Sequence, residues 1–345
     1  VSAATGAAAG PTGDAAGPAT AAPAGSAGPA TQPSPGLGVP EWGGFDPARA
    51  RAPRPSDIWR SFRTAAALGW QMEANWTDPV LFFIYSVAKP VSSALILVVM
   101  LDIITGGANP AYRSFVVVGT ALWALVLVGI AGLAWSVLDD RERYRMLKYV
   151  YVSPSDFIVV LLGRGVARLA VGAVGALITL GVGIGLLGVP FDPARVDWPA
   201  VAILLTLGVV AIVAVGLLLA AVCLQTRQES WSYPEALAGA LFLISGVVFP
   251  LSVLPTPLQA LAFLTPLTWW VEGVRQAVFP GGPSSIGGPG SLWTSLTGTA
   301  APDTATTIVA LLGTGALVTL AATGVFRVSE RRAKDRGLLD RTTGS

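Results

Sequence analysis

The chain has 345 residues, of which 53% are hydrophobic and only 12% charged, with a formal net charge of +2 and a mean hydropathy of +0.64. Soluble domains carry about 25% charged residues, so this chain has too few charges to wet the surface of a soluble protein of its size. The net charge is also too small to imply a nucleic-acid partner. Histidine is absent and Cys223 is the single cysteine. The commonest general base and metal ligand is therefore missing, an intrachain disulfide is excluded, and an enzyme would have to be built on sparse carboxylates.

Residues 1 to about 50 are almost entirely Ala, Gly, Pro, Ser and Thr, with Asp14 the only charge before Glu41. Such a segment has no large apolar side chains to offset the entropy of ordering, so disorder is expected. It lacks the basic n-region and Leu/Val-rich h-region of a secretory signal, and reads as a dispensable tail or a tether. The organisation expected is a tail over 1–55, a membrane domain over 56–330 and a basic cytoplasmic tail over 331–345.

Residues 57–76 read as an amphipathic helix. Ile58, Phe62, Ala65, Leu68 and Met72 recur at spacings of three or four, while Arg60, Arg63, Gln71 and Glu73 fall largely elsewhere on the wheel. Trp59, Trp70 and Trp76 suit the headgroup region. An interfacial helix leading into the membrane is the first reading, and a cytoplasmic helix packed on other protein the second.

A span needs ~20 apolar residues. Six candidates follow in chain order: 80–101, 115–137, 169–187 (extended on its N-terminal side by 157–162 and the basic Arg164 and Arg168), 201–224, 236–249 and 306–326. Gly172, Gly181 and Gly185 in the third allow close helix approach, the last two in GxxxG spacing. Close packing within the subunit is the expected use. Glu235 suits the N-terminus of the fifth span. After that span, Pro250, Pro255 and Pro266 interrupt an apolar stretch that is too short to cross. Broken backbone at membrane depth survives only under protein cover or beside water, so a re-entrant hairpin is expected, with Trp269 and Trp270 at the outer interface. The fold class is thus an all-α membrane protein: six transmembrane helices, an N-terminal interfacial helix, and a re-entrant hairpin after the fifth span.

Orientation follows from Lys and Arg in the flanks. Arg51, Arg54, Arg60 and Arg63 precede the first span. Arg141, Arg143, Arg145 and Lys148 lie between the second and third, and Arg327, Arg331, Arg332, Lys334, Arg336 and Arg341 follow the sixth. The opposite side offers Arg113, Arg195 and nothing over 280–302. Both termini and the 139–156 loop are therefore expected in the cytoplasm, in a multi-pass protein of the cell membrane.

Lys89, beside Pro90, falls about ten residues into the first span. A cation at that depth costs several kcal/mol unless partnered or wet, so it is a candidate for the substrate path or an inter-subunit contact. A later start to the helix would instead leave it near the cytoplasmic interface. Glu272 and Arg275 stand three apart, hence on one helix face. They could pair near the outer mouth, and with Pro250, Pro255 and Pro266 they are candidates for a pathway or gate.

The 139–156 loop contains ERYRMLKYVYVSP, and FPLSVLPTPLQALAFLTPLTWWVEGVR follows the fifth span. With six spans, these two stretches resemble the transmembrane subunits of ABC-2 type exporters, of the kind that includes drug-resistance, daunorubicin-type permeases. The first cytoplasmic loop of that family often reads E-x-x-G-T-L-E-x-L-x-x-S-P. Glu142 and the Ser153–Pro154 pair match its spacing, whereas Arg145, Met146 and Lys148 stand where the pattern has Gly, Thr and the second Glu. The resemblance covers roughly residues 57–330. It implies that the loop docks on a separate ABC ATPase, with Arg141, Glu142, Arg143, Arg145 and Lys148 supplying charge, Tyr144, Met146 and Leu147 supplying apolar anchors, and Ser153 and Pro154 closing the motif. It further implies a second permease subunit, identical or paralogous, with membrane lipid around the pair.

The need for an energy source elsewhere also follows from the residues. No G-x-x-x-x-G-K-[ST] phosphate loop occurs, since none of the three lysines, Lys89, Lys148 and Lys334, follows a glycine. No cofactor is expected in this chain, ATP and Mg being expected in the partner. The mainly apolar spans suit an amphipathic or hydrophobic cargo such as a drug, lipid or lipid-linked product. An ion-driven secondary transporter is the alternative, yet that class shows two matched halves with corresponding broken helices, and only the region after the fifth span is interrupted. A membrane enzyme and a non-catalytic scaffold are weaker rivals.

Overall fold

In lipid, backbone N–H and C=O groups have no water to bond, so an open chain must satisfy them within its own helices. Helix is accordingly the regular structure throughout the described residues. These are 55–74, 79–105, 110–144, 146–152, 155–226 and 232–335 of a computed structural model; the side chains of Lys89, Lys148, Lys334 and a few other helical residues are not described. The tail before residue 55, Arg145, Ser153, Pro154 and residues 336–345 lie outside the described residues.

Among the described residues eleven α-helices run in order: α1 (Pro55–Ala74), α2 (Pro79–Thr105), α3 (Pro110–Leu138), α4 (Leu147–Val152), α5 (Phe157–Gly185), α6 (Trp198–Gln225), α7 (Tyr233–Ile244), α8 (Thr256–Leu264), α9 (Pro266–Val278), α10 (Leu292–Thr297) and α11 (Thr304–Asp335). A π-helical turn, Asp139–Arg143, extends α3, and a 3-10 turn, Leu251–Val253, precedes α8. Local chemistry starts several of them. The Asp156 carboxylate accepts from Ile158 N at the head of α5, and Asp197 does the same for Ala200 N at the head of α6. Proline stands in the first turn of α6, α7, α8 and α9, where its missing N–H costs nothing.

Four helices among the described residues are long and apolar enough to cross a membrane: α3 with its π extension, α5, α6 and α11. They coincide with the second, third, fourth and sixth expected spans. The first expected span falls on α2, whose described apolar stretch is Val91–Ile104. The fifth is shorter than expected: α7 has 12 residues, about 18 Å of helix against a hydrocarbon core of about 30 Å. The apolar run continues to Phe249, but Gly246 takes a left-handed φ of 65° and turns the chain. At the other end of the chain, α11 passes residue 330 unbroken and reaches Asp335.

α3 stands at the centre, against α5 on one side and α6 on the other; α6 in turn packs on α11. α1 lies along α5, and α2 leans on both α3 and α5. Gly163 of α5 meets the Phe62 carbonyl and Ala65, while Gly69 of α1 meets the Arg164 backbone, so the two helices touch through small residues. Gly181 and Gly185 do not serve this purpose: a Cβ added at either meets nothing within 4 Å. The GxxxG pair faces away from the bundle, and Gly172, against Leu125 and Val128 of α3, makes the close approach instead.

After α7 the prolines act as expected in breaking the chain. Pro250 opens the 3-10 turn, Pro255 caps α8 and Pro266 starts α9. Trp269 and Trp270 are enclosed by protein rather than exposed, however. α9 is enclosed by α6, α11 and α3, Trp270 has no exposed surface, and its indole fills the space that the missing side chain of Gly208 leaves on α6. The Gly208→Ala variant is expected to lose about 1–3 kcal/mol by overpacking, whereas Gly181→Ala, in open space, should stay within about 0.5 kcal/mol of the parent; thermal unfolding of both in detergent checks the contrast.

Candidate functional site

At the end of α3 the sequence DDRER packs five charges into the π-helical turn. Asp139, Asp140, Arg141 and Glu142 are tied to neighbouring helices or to one another. Asp140 pairs with Arg164 of α5, both side chains under a tenth exposed. Asp139 accepts from Arg168 of α5 at 3.2 Å, and Arg168 also reaches Glu73 of α1 at 3.6 Å. Arg141 donates to Glu142 at 2.8 Å. Its Nη1 donates to the carbonyls of Cys223 (3.0 Å) and Thr226 (2.7 Å) at the end of α6. Those carbonyls are the acceptors that a helix C-terminus leaves without intrahelical partners, and a cation there also complements the helix dipole. α1, α3, α5 and α6 are therefore joined at one end by ion pairs and a guanidinium cap. Asp140 Oδ1 and Arg164 Nε retain no hydrogen-bond partner, which leaves this pair dependent on each other.

The residues expected to dock divide by burial, the side chain of Lys148 lying outside what the structure describes. Leu147 is buried among Val137, Phe157, Leu161 and Leu224, and Arg141 is buried against α6. These two hold the segment to the bundle from behind and offer no surface. Glu142 is mostly covered, with its side chain 11% exposed. Arg143 and Met146 are exposed, and Tyr144 is half-buried with the Arg143 guanidinium 5.8 Å from its ring centroid. Arg145, Ser153 and Pro154 lie outside the described residues. Tyr149, three residues after Met146 and 66% exposed, joins this outer surface without having been expected. Asp139, Asp140, Arg164, Arg168 and Glu73 were not expected either. A signal existed: two arginines one turn apart at the start of an apolar helix demand carboxylates, and the nearest Asp-Asp pair ends the preceding span.

At the opposite end of the bundle, Glu272 and Arg275 of α9 lie on one face as expected, but their contact is loose, 3.9 Å between Arg275 Nη1 and Glu272 Oε2. Each has closer partners. The fully buried Glu272 carboxylate accepts from Ser285 N and Ser285 Oγ, both at 2.7 Å, from Ser284 Oγ at 2.5 Å and from Gln276 Nε2 at 3.3 Å. Arg275 donates through Nη2 to the carbonyls of Gly246 (3.2 Å) and Val247 (3.1 Å), and its guanidinium lies 3.6 Å from the Phe115 ring centroid of α3. The two charges thus hold different segments. Glu272 holds the loop that follows α9, and Arg275 holds the turn that precedes α8. Lys89 lies in α2; its side chain is outside what the structure describes. Among the described residues no cluster of acids, cysteine or histidine could hold a metal ion.

The model of a family described as ABC-2 family transporter protein matches residues 75–323. This chain belongs to that family. No curated protein matches the sequence. The chain is accordingly a multi-pass membrane component of ABC-type transport, a class of domain that is not catalytic, and permeases of this family generally work with an ABC ATPase subunit. The matched range takes in α3, the 139–152 segment, the α8–α9 hairpin and most of α11.

Two outcomes follow for the permease. Removing one partner of a buried pair leaves an uncompensated charge: Arg164→Ala should cost about 3–5 kcal/mol in thermal unfolding, and the swap Asp140→Arg with Arg164→Asp should recover part of it. Glu272→Ala should release the 280–302 loop, seen as faster limited proteolysis within that loop while the helical bundle remains intact.

Proposed function

We propose that this chain is the permease subunit of an ATP-driven exporter, powered by a separate ATPase that docks on the 139–156 segment. One observation carries the reading: the segment presents Arg143, Met146 and Tyr149 outward on a base that ion pairs fasten to α5 and a buried guanidinium cap fastens to α6. A contact surface on a loose loop would absorb a push. On this base, displacement of the loop is passed to α3 through the continuous π extension, to α5 through Arg164 and Arg168, and to α6 through Arg141. Closure of an ATPase dimer beneath two such permeases would tilt these helices together.

Charge distribution supports placing this end in the cytoplasm. Arg63, Arg143, Arg327, Arg331 and Arg332 are exposed there, with Arg60 bonded to Asp57. At the other end Arg113 is bonded to Asp102 and Arg195 to Asp192, so positive charge accumulates on one side, as on the inner side of membrane proteins. α1 fits an interfacial position on that side: Ala65 and Gly69 are buried against α5, while Ile58, Trp59, Leu68 and Trp70 stay exposed. The α8–α9 hairpin fits a re-entrant element, because its inner limb has protein cover on all sides. The cargo is an amphipathic or hydrophobic molecule such as a drug, a lipid or a lipid-linked product, and the permease pairs with a second copy or a paralogue.

The docking surface is tested by co-purification with the cognate ATPase. Arg143→Glu combined with Tyr149→Ala should reduce recovery of the ATPase by about tenfold, the weight of one or two interface anchors, with no loss of thermal stability in the permease. Full recovery with the double variant, or export driven by an ion gradient without ATP, would overturn the reading.

A further inference from the structure

α11 is the least covered of the long helices: only 11% of its most apolar window is buried inside the protein, against 67% for α6 and 72% for α3. Its inward stripe is well defined, with Leu311, Ala322, Phe326, Ser329 and Ala333 buried. Phe326 stacks on Phe157 at 5.6 Å, and Ser329 accepts a hydrogen bond from Gln225, which fixes the rotation of the helix. On the opposite side, steps of three and four residues place Leu317, Leu320, Gly324, Arg327 and Arg331 in one line. All five are exposed. The line therefore changes from apolar to cationic within one helical turn.

Neither Arg327 nor Arg331 has a carboxylate within ion-pair distance among the described residues, in contrast to Arg164, Arg168 and Arg141 at the same end of the bundle. Side chains four apart on a helix are neighbours, so two guanidinium groups share one spot, with the Glu330 and Asp335 carboxylates on the same helix but ion-paired to neither. An anion with several oxygen acceptors fits that spot, phosphate best of all, because planar guanidinium forks bind it in bidentate fashion. Directly along the helix, Leu320 and Leu317 flank the bare backbone of Gly324, where an added Cβ would meet nothing within 4 Å. From Arg327 to Leu317 the helix rises about 15 Å, half the hydrocarbon thickness.

We propose that this face of α11 seats an anionic phospholipid, its phosphate between Arg327 and Arg331 and an acyl chain along Gly324, Leu320 and Leu317. A soluble phosphate would use the arginines but not the stripe below them. A second copy of the chain packed symmetrically on this face would bring like charges together. The exposed Arg332 adds cationic field beside the site.

The test uses the purified full chain in nanodiscs of equimolar phosphatidylglycerol and phosphatidylcholine, followed by extraction and native mass spectrometry of the lipid retained. The parent should retain phosphatidylglycerol over phosphatidylcholine by about thirtyfold, the weight of two juxtamembrane arginines. Arg327→Gln with Arg331→Gln should bring the ratio to near parity, and Gly324→Leu, which fills the groove without touching the charges, should lower it severalfold. Arg60→Gln with Arg63→Gln on α1 should leave it unchanged. Unaltered preference in the α11 double variant would overturn the proposal. So would equal loss in the α1 variant, which marks a diffuse charge effect, or loss of ATPase association by the α11 variant with lipid retention intact, which assigns the arginines to protein contact.

Discussion

A charge inside an apolar bundle is stable only beside a partner, since desolvation costs several kcal/mol per ion and lipid offers nothing in return. Asp140 and Arg164 meet that condition with each other, and the condition sets much of the rest. Leucine packs as well against an acyl chain as against another helix, so the apolar spans by themselves carry little information about which helix stands next to which. The Asp140–Arg164 pair fixes α3 against α5 in both height and rotation. Arg168 then brings in α1 through Glu73 and the turn through Asp139, and Arg141 closes on the α6 carbonyls. Small residues settle the distance once the charges have settled the neighbour, as Gly163 and Gly69 do between α1 and α5.

Which features were legible in the sequence follows from the range of the interaction that decides them. Long apolar runs are a property of the segment alone, so α3, α5, α6 and α11 could be read to within a few residues at most ends. α7 could not, because its apolar run extends to Phe249 while a single backbone angle at Gly246 ends the helix first. Trp269 and Trp270 obey the same logic. Their preference for interfaces is a local tendency, and coverage of α9 by α6 and α11 is a tertiary fact that overrides it. The GxxxG spacing of Gly181 and Gly185 marked the right kind of surface on the wrong side of α5.

The 139–152 segment was legible as a unit and not residue by residue. Motif spacing pointed to ERYRMLKYVYVSP as a whole. The division between side chains that anchor the segment and side chains that face outward depends on where Phe157, Leu161 and Leu224 lie, and those come from two other helices, α5 and α6. Leu147 and Arg141 turn inward for that reason, and Tyr149 turns outward. The carboxylates that complete the base were hidden differently. Asp139 and Asp140 sit where a span ends, a place where acidic residues ordinarily need no explanation, and only the two arginines of α5 make them necessary.

The two ends of the bundle are held by opposite devices, and this bears on how the molecule can move. At the end bearing the 139–152 segment, several helices converge on shared charges, so displacing one drags the others. At the other end, α9 alone carries both charges and distributes them along the chain: Glu272 to Ser284 and Ser285 after it, Arg275 to the carbonyls of Gly246 and Val247 before it. Neither set can be exchanged for water while the site is covered. The turn after α7, the α8–α9 hairpin and the loop after α9 are therefore one body hung on α9. Its contact with α3 is of another kind, the Arg275 guanidinium over the Phe115 ring. A cation–π contact has no acceptor to leave unsatisfied and is weaker than the hydrogen-bonded set. If this end opens, the seam between Arg275 and Phe115 is where separation costs least.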